Sequence, residues 1–122
     1  MRIAAIAHDG KKAEMISFLL KNKVKLEKAK IVATGTTGTH AENAGFTVKK
    51  MLSGPMGGDA QIATMTASKQ LDLIFFFRDP LGKHPHEPDI QMLMRICDVH
   101  NIPLGTNPAT AQLMLDAFIN KL

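Results

Sequence analysis

The stretch LDLIFFF at positions 71–77 constrains this chain more than any other. A strand with one wet face alternates apolar and polar residues, whereas a continuous apolar run belongs to a strand covered on both sides. Such strands sit in parallel sheets, and parallel neighbours need crossover segments between them. The rest of the chain supplies both parts. RIAAIA (2–7), KIVAT (30–34), FTVKKML (46–52) and IPLGT (102–106) read as four further strands. Helical spacing lies between and after them. Met15, Ile16, Leu19 and Leu20 share one helical stripe, and TGTHAENAG makes a short helix ending at Gly45. Asp59 to Ser68 carries Ile62 and Met65, and Pro88 opens a helix with Ile90, Leu93, Met94 and Cys97 on one side. Asn107 and Pro108 are an N-cap and first-turn pair for a last helix, which buries Ala111, Met114, Leu115 and Phe118. Five strands alternating with five helices predict an α/β domain whose parallel sheet is covered on both faces.

At 122 residues the chain is one ordinary domain, residues 1–122, with no repeat and no linker. No apolar run approaches the length of a membrane span, and MRIAAIAHDG lacks a signal-peptide pattern. A single cysteine excludes an internal disulfide framework and suits a reducing cytosol, with Cys97 read as a buried structural thiol. The formal charge of +4 is compatible with an anionic partner. Nucleic-acid readers interleave aromatics with basic residues, but this chain has no Trp or Tyr and its Phe residues fall in apolar runs. The lysines of KKAEMISFLLKNKVKLEKAK are read as a solvated helix face, which leaves a small anionic molecule as the partner to consider. The eight methionines fall mainly on helical stripes and are read as core filling.

Ligands of open α/β sheets bind outside the carboxyl ends of the strands. The residues beyond each strand here are polar, small or titratable: His8-Asp9-Gly10-Lys11-Lys12; Thr34-Gly35-Thr36-Thr37-Gly38; Ser53-Gly54-Pro55-Met56-Gly57-Gly58-Asp59; Arg78-Asp79-Pro80 and then HPHEPD (84–89); and Thr106-Asn107. TGTTG stands between a strand and a helix, where unpaired backbone N–H groups attract an anion. It is neither a P-loop nor a dinucleotide fingerprint, and a Thr N-cap with a tight turn would also produce it. In SGPMGGD, glycines allow backbone to approach a ligand, and Asp59 falls at a helix start where an N-cap is the plain alternative. His84 and His86 make an H-x-H pair that could ligate a metal, although no Cys or third His stands at the usual spacing. One of His8, His84 and His86 could equally act as a general acid or electrophile. His40, His84 and His100 have the ordinary reading of exposed loop or surface histidines. Asp9 and Asp79 fit turns, Asp89 fits a helix first turn, and Lys12 is either solvated or reaches a phosphate.

AHDGKK, ATGTTG, LSGPMGGD, FFRDP, HPHEPD and NIPLGTN occur in this order and together resemble the methylglyoxal synthase family, from His8 to about Thr110. The resemblance implies a three-layer α/β/α single domain with a five-stranded parallel sheet. It implies a cytoplasmic homohexamer that converts dihydroxyacetone phosphate to methylglyoxal and inorganic phosphate, a bypass branch from glycolysis, with no metal or organic cofactor. Asp59 matches the catalytic base. His86 matches the group on the substrate oxygens, and Asp89 and His8 line the pocket. Lys12, Thr34, Gly35, Thr36, Thr37, Ser53 and Gly54 match the phosphate contacts. No nucleic acid or membrane partner is implied, and phosphate, as product, is expected to inhibit. Domains of this fold also serve as effector-binding regions of carbamoyl phosphate synthetase and of a purine-biosynthesis cyclohydrolase. A binding module, or an isomerase of sugar phosphates, is therefore the alternative.

Overall fold

The computed structural model describes residues 1–82 and 89–121. Five strands and five helices succeed one another: β1 (Arg2–Ala7), α1 (Lys12–Lys21), β2 (Lys30–Ala33), α2 (Gly35–Asn43), β3 (Val48–Lys50), α3 (Gly58–Ala67), β4 (Leu73–Phe77), α4 (Asp89–His100), β5 (Leu104–Gly105) and α5 (Pro108–Asn120). The sheet is parallel throughout, in the order β3-β2-β1-β4-β5. The chain starts in the middle, builds outward to β3, then returns to the other side of β1 for β4 and β5.

The two central strands show why the sequence reads as it does. Every residue of β4 is buried, as its continuous apolar run requires. Its neighbour β1 contributes small residues on one face: Ala5 and Ala7 stand beside Phe75 and Phe77. Alanine leaves room for the rings, and Phe18 of α1 fills it by meeting both edge-on, at 5.2 and 5.6 Å between centroids. This face is closed by α1, α2 and α5, which bring Met15, Leu19, Ala41, Ala111 and Leu115 into one cluster. The opposite face of β1 and β4 carries Ala4, Ile6, Ile74 and Phe76, closed by Ile62 of α3 and by Ile90, Leu93 and Cys97 of α4. Two helical layers thus sandwich the sheet, as expected. Burial pushes the Cys97 thiol up to about 11, which keeps it protonated and unreactive in its structural place.

Several element bounds depart from the sequence reading. Strand β3 is only Val48–Lys50, because it is an edge strand paired to β2 alone. Strand β5, at the other edge, shrinks to two residues. The expected stripe of α1 shifts: Phe18 is buried while Leu20 is exposed, and the chain leaves the helix after Lys21. Lys23, Lys25 and Lys28 therefore project from turns rather than from a helix face. Helix α2 begins at Gly35, so the TGTTG segment is the helix's own first turn and not a loop before it. Asn107 caps α5 as expected, accepting the Thr110 N–H at 2.9 Å, and Gly45, with φ +98°, takes the left-handed position after α2. Pro88, expected to open α4, lies outside the described residues. Among the described residues no helix is long and apolar enough to cross a membrane.

Candidate active site

In the order β3-β2-β1-β4-β5 the direction of winding reverses between β1 and β4. The crevice of an open α/β sheet forms outside the carboxyl ends at such a reversal. His8 stands there, directly after β1. Its backbone N–H donates to the Phe77 carbonyl at the end of β4 (3.1 Å), and its ring meets Phe76 edge-on at 5.1 Å. The N–H of Asp79 donates to His8 Nδ1 at 2.9 Å. Asp79 itself closes a turn, its Oδ1 accepting from the N–H groups of Leu81 and Gly82 at 3.1 and 3.0 Å. The turn reading of Asp79 holds, and its backbone contact with His8 is a site feature the sequence did not disclose.

One strand over, Thr34 follows the last residue of β2 and α2 starts at once. The first N–H groups of a helix have no partner within it. That of Gly35 donates to the Leu52 carbonyl at 3.2 Å, which ties the start of α2 to the glycine-rich segment after β3. Thr34 takes the N-cap position of α2, as the plain reading of TGTTG has it, but its side chain makes no capping bond. Thr37 is fully buried and its hydroxyl has no hydrogen-bond partner among the described residues. A buried hydroxyl without a partner is costly, and a bound oxyanion would satisfy it.

The glycines of LSGPMGGD build a compact corner. Ser53 turns the chain into a short 3-10 segment, and its carbonyl accepts from the N–H groups of both Met56 and Gly58 at 3.0 and 2.9 Å. Gly57 takes φ +108°, a left-handed conformation that costs a side-chain-bearing residue about 1 kcal/mol or more. A Cβ on Gly58 would collide with the Leu52 carbonyl, so the chain crosses itself where only glycine fits. Asp59 then falls in the first turn of α3 and is 7% exposed. Gly57, not Asp59, occupies the N-cap position, so the capping alternative for Asp59 is overturned. A Cβ built on Gly54 would lie 3.4 Å from Asp59 Oδ2, which measures how closely the Ser53-Gly54 backbone passes the carboxylate.

Lys12 is the first residue of α1, and its Nζ is paired with the Asp9 carboxylate. The structure thus places His8, Lys12, Thr34, Gly35, Thr36, Thr37, Ser53, Gly54 and Asp59 at or just beyond the carboxyl ends of β1, β2 and β3. Ser53, Gly54, Gly35 and Asp59 are joined by the contacts above. His84 and His86 lie outside the described residues. Asp89 opens α4 beyond β4, and its side chain is likewise outside them.

The MGS-like domain family matches residues 14–106. A methylglyoxal synthase of Clostridium botulinum (strain Eklund 17B / Type B) is 54% identical over 119 residues, covering 97% of this chain and 100% of the relative. The chain belongs to the methylglyoxal synthase family. A methylglyoxal synthase of Thermoanaerobacterium thermosaccharolyticum is 55% identical over 116 residues, covering 94% of this chain and 87% of its own length. The crystal structure of methylglyoxal synthase from Elizabethkingia anophelis NUHP1 superposes with a TM-score of 0.89 at 42% identity, covering 93% of this chain and 76% of that one. Such identity over nearly whole chains makes this an enzyme of the methylglyoxal synthase family and not a detached effector-binding module.

Proposed function

We propose that the protein converts dihydroxyacetone phosphate to methylglyoxal and inorganic phosphate. The observation that carries this is the corner at the start of α3: a buried carboxylate, Asp59, beside the Ser53-Gly54 backbone, which in turn abuts the first turn of α2. A base and an anion cradle sit side by side, as proton abstraction next to a phosphate ester requires.

In this reading the N–H groups of Thr36 and Thr37, the Thr37 hydroxyl, Ser53, Gly54 and Lys12 hold the phosphate, helped by the positive end of α2. Thr34, just past β2, and Gly35 set the geometry of that cradle. Asp59 takes a proton from the hydroxymethyl carbon. The electron pair moves into the carbonyl to give an enediolate, with His86 as neutral donor to the developing oxyanion and Asp89 and His8 lining the pocket. The enediolate then breaks the bond between the far carbon and the ester oxygen, and phosphate leaves with that electron pair. Cleavage needs the bond to stand out of the enediolate plane, so that its σ* orbital overlaps the π system. An isomerase keeps the bond near the plane, whereas the α2 cradle would hold it across. The remaining enol tautomerises, taking a proton on its methylene carbon and giving up its hydroxyl proton, and becomes methylglyoxal. None of these steps calls on a metal or an organic cofactor.

Purified protein incubated with dihydroxyacetone phosphate should release methylglyoxal and phosphate in equal amounts, above the spontaneous rate of a protein-free control. Glyceraldehyde phosphate with no free phosphate would convert the proposal into an isomerase. The proposal extends to a cytoplasmic homohexamer on a branch leaving glycolysis. It is supported by the kinship with methylglyoxal synthases and by the chain's single, buried cysteine. Sedimentation should give a particle about six times the 13.3 kDa chain mass, and a monomer at micromolar concentration would remove that part.

A further inference from the structure

His8 has an environment that decides more than its position. A backbone N–H can only donate, so the ring nitrogen facing the Asp79 amide at 2.9 Å must accept. That nitrogen is Nδ1, and the proton of the neutral ring is therefore on Nε2. Three further contacts keep this arrangement in place. Phe76, buried under the ring and perpendicular to it at 83°, fixes the ring plane. Asp79 Oδ1 accepts from the Leu81 and Gly82 N–H groups, so the turn that carries the amide is closed on itself. Gly10 lets that turn approach the loop after β1, since a Cβ there would stand 2.5 Å from Asp79 Oδ2.

We propose that the Asp79 main chain is a positioning group that locks His8 in the Nε2–H tautomer, so that His8 serves the substrate as a neutral hydrogen-bond donor through Nε2. The inference rests on the reaction proposed above for the substrate, but its tautomer half does not. An imidazole free to choose would spend part of its time with Nδ1 protonated and Nε2 an acceptor, which repels a phosphate or enediolate oxygen. The lock removes that state before substrate arrives, and preorganised donors cost no reorganisation when charge develops. It also uses the topology directly. Residues 71 positions apart meet because β1 and β4 are neighbours at the reversal of the sheet.

Two measurements test it. Nitrogen NMR of ¹⁵N-labelled protein, with His8 assigned by its loss in His8→Gln, should show Nδ1 unprotonated, Nε2 bearing the proton, and a through-hydrogen-bond coupling between Nδ1 and the Asp79 amide nitrogen. A protonated Nδ1 in the neutral ring overturns the lock whatever the protein's activity. The second measurement is turnover of dihydroxyacetone phosphate. A Gln side-chain NH₂ reaches the place of Nε2–H, and an Asn NH₂ reaches only that of Nδ1. His8→Asn should lower kcat/KM by about 10- to 100-fold, the scale of a lost hydrogen bond to a charged group, and His8→Gln should recover most of it. Equal losses in the two variants overturn the donor role. A correct tautomer in a wild-type protein that releases no methylglyoxal overturns the proposed reaction, and the donor role with it, and leaves the lock standing.

Discussion

Asp59 shows what a single residue owes to its surroundings. A carboxylate in the first turn of a helix is ordinary, and in isolation it would be read as a cap or a dipole partner. Here Gly57 takes the N-cap position, while burial and the passing Ser53-Gly54 backbone enclose the Asp59 carboxyl. Asp59→Asn keeps the shape and removes the charge. The variant should fold normally by circular dichroism and lose turnover by about 10²–10⁴-fold, the range for a lost general base. Near-normal turnover would leave the acid without a catalytic part. The glycines before it were legible as a tight, unusual segment. Their separate duties, a left-handed φ at Gly57 and a backbone crossing against the Leu52 carbonyl at Gly58, were not, because both depend on the path the backbone takes in space.

Among elements, β1 and β4 form the centre of the design, and they are tied at their starts as well as along their length. The Arg2 N–H donates to Asp72 Oδ2 at 2.8 Å, the Asp72 N–H returns a bond to the Arg2 carbonyl at 2.8 Å, and the guanidinium meets the carboxylate at 3.3 Å. The side-chain bond from Arg2 is the main cause that holds the Asp72 carboxyl below its ordinary range, against a smaller opposing effect of burial. A carboxyl whose folded-state pKa is depressed stabilises the fold above its unfolded value and loses that contribution as pH falls through the lower, folded value. Asp72→Asn should therefore cost about 0.5–1 kcal/mol at neutral pH, a modest figure because solvent screens the half-exposed Arg2. Urea unfolding should show the gap at pH 7 and show it closing once the pH drops below the ordinary value of 3.8. A gap that persists unchanged at low pH would mean the side-chain charge contributes nothing. Helix α2 illustrates a different point about elements. Its weak apolar pattern, GTTGTHAEN, placed its start too late, and tertiary contacts to Leu52 and β3 set the true start at Gly35.

At the scale of the molecule, the parallel sheet brings the carboxyl ends of its strands, which the sequence holds far apart, to one edge. Substrate and product phosphate would share the α2 cradle, so inorganic phosphate should compete with dihydroxyacetone phosphate, raising its apparent KM. Rates unchanged across millimolar phosphate would argue that the phosphate is bound elsewhere. Much of this architecture was legible beforehand. The apolar run of β4, the small residues of β1 and the helical stripes all reported buried faces, and burial is what periodicity records. His8, Thr34, Ser53 and Gly54 follow their strands directly or closely, and Lys12, Thr36 and Thr37 fall in the first turns of the helices that come next.

The sequence by itself determined which segments bury which faces, that the sheet is parallel, and that a glycine-rich corner ends in a carboxylate. Strand order was left to the tertiary structure, because apolar periodicity says a face is covered and never by which neighbour. That order decides that β4 lies beside β1, and so that the Asp79 amide reaches His8 Nδ1. It also decides that the Leu52 carbonyl takes up the Gly35 N–H, which brings the first turn of α2 against the corner that carries Asp59. Backbone N–H and carbonyl groups are the same in every residue, so the partners they choose are set by the fold in space and leave no mark in the order of side chains.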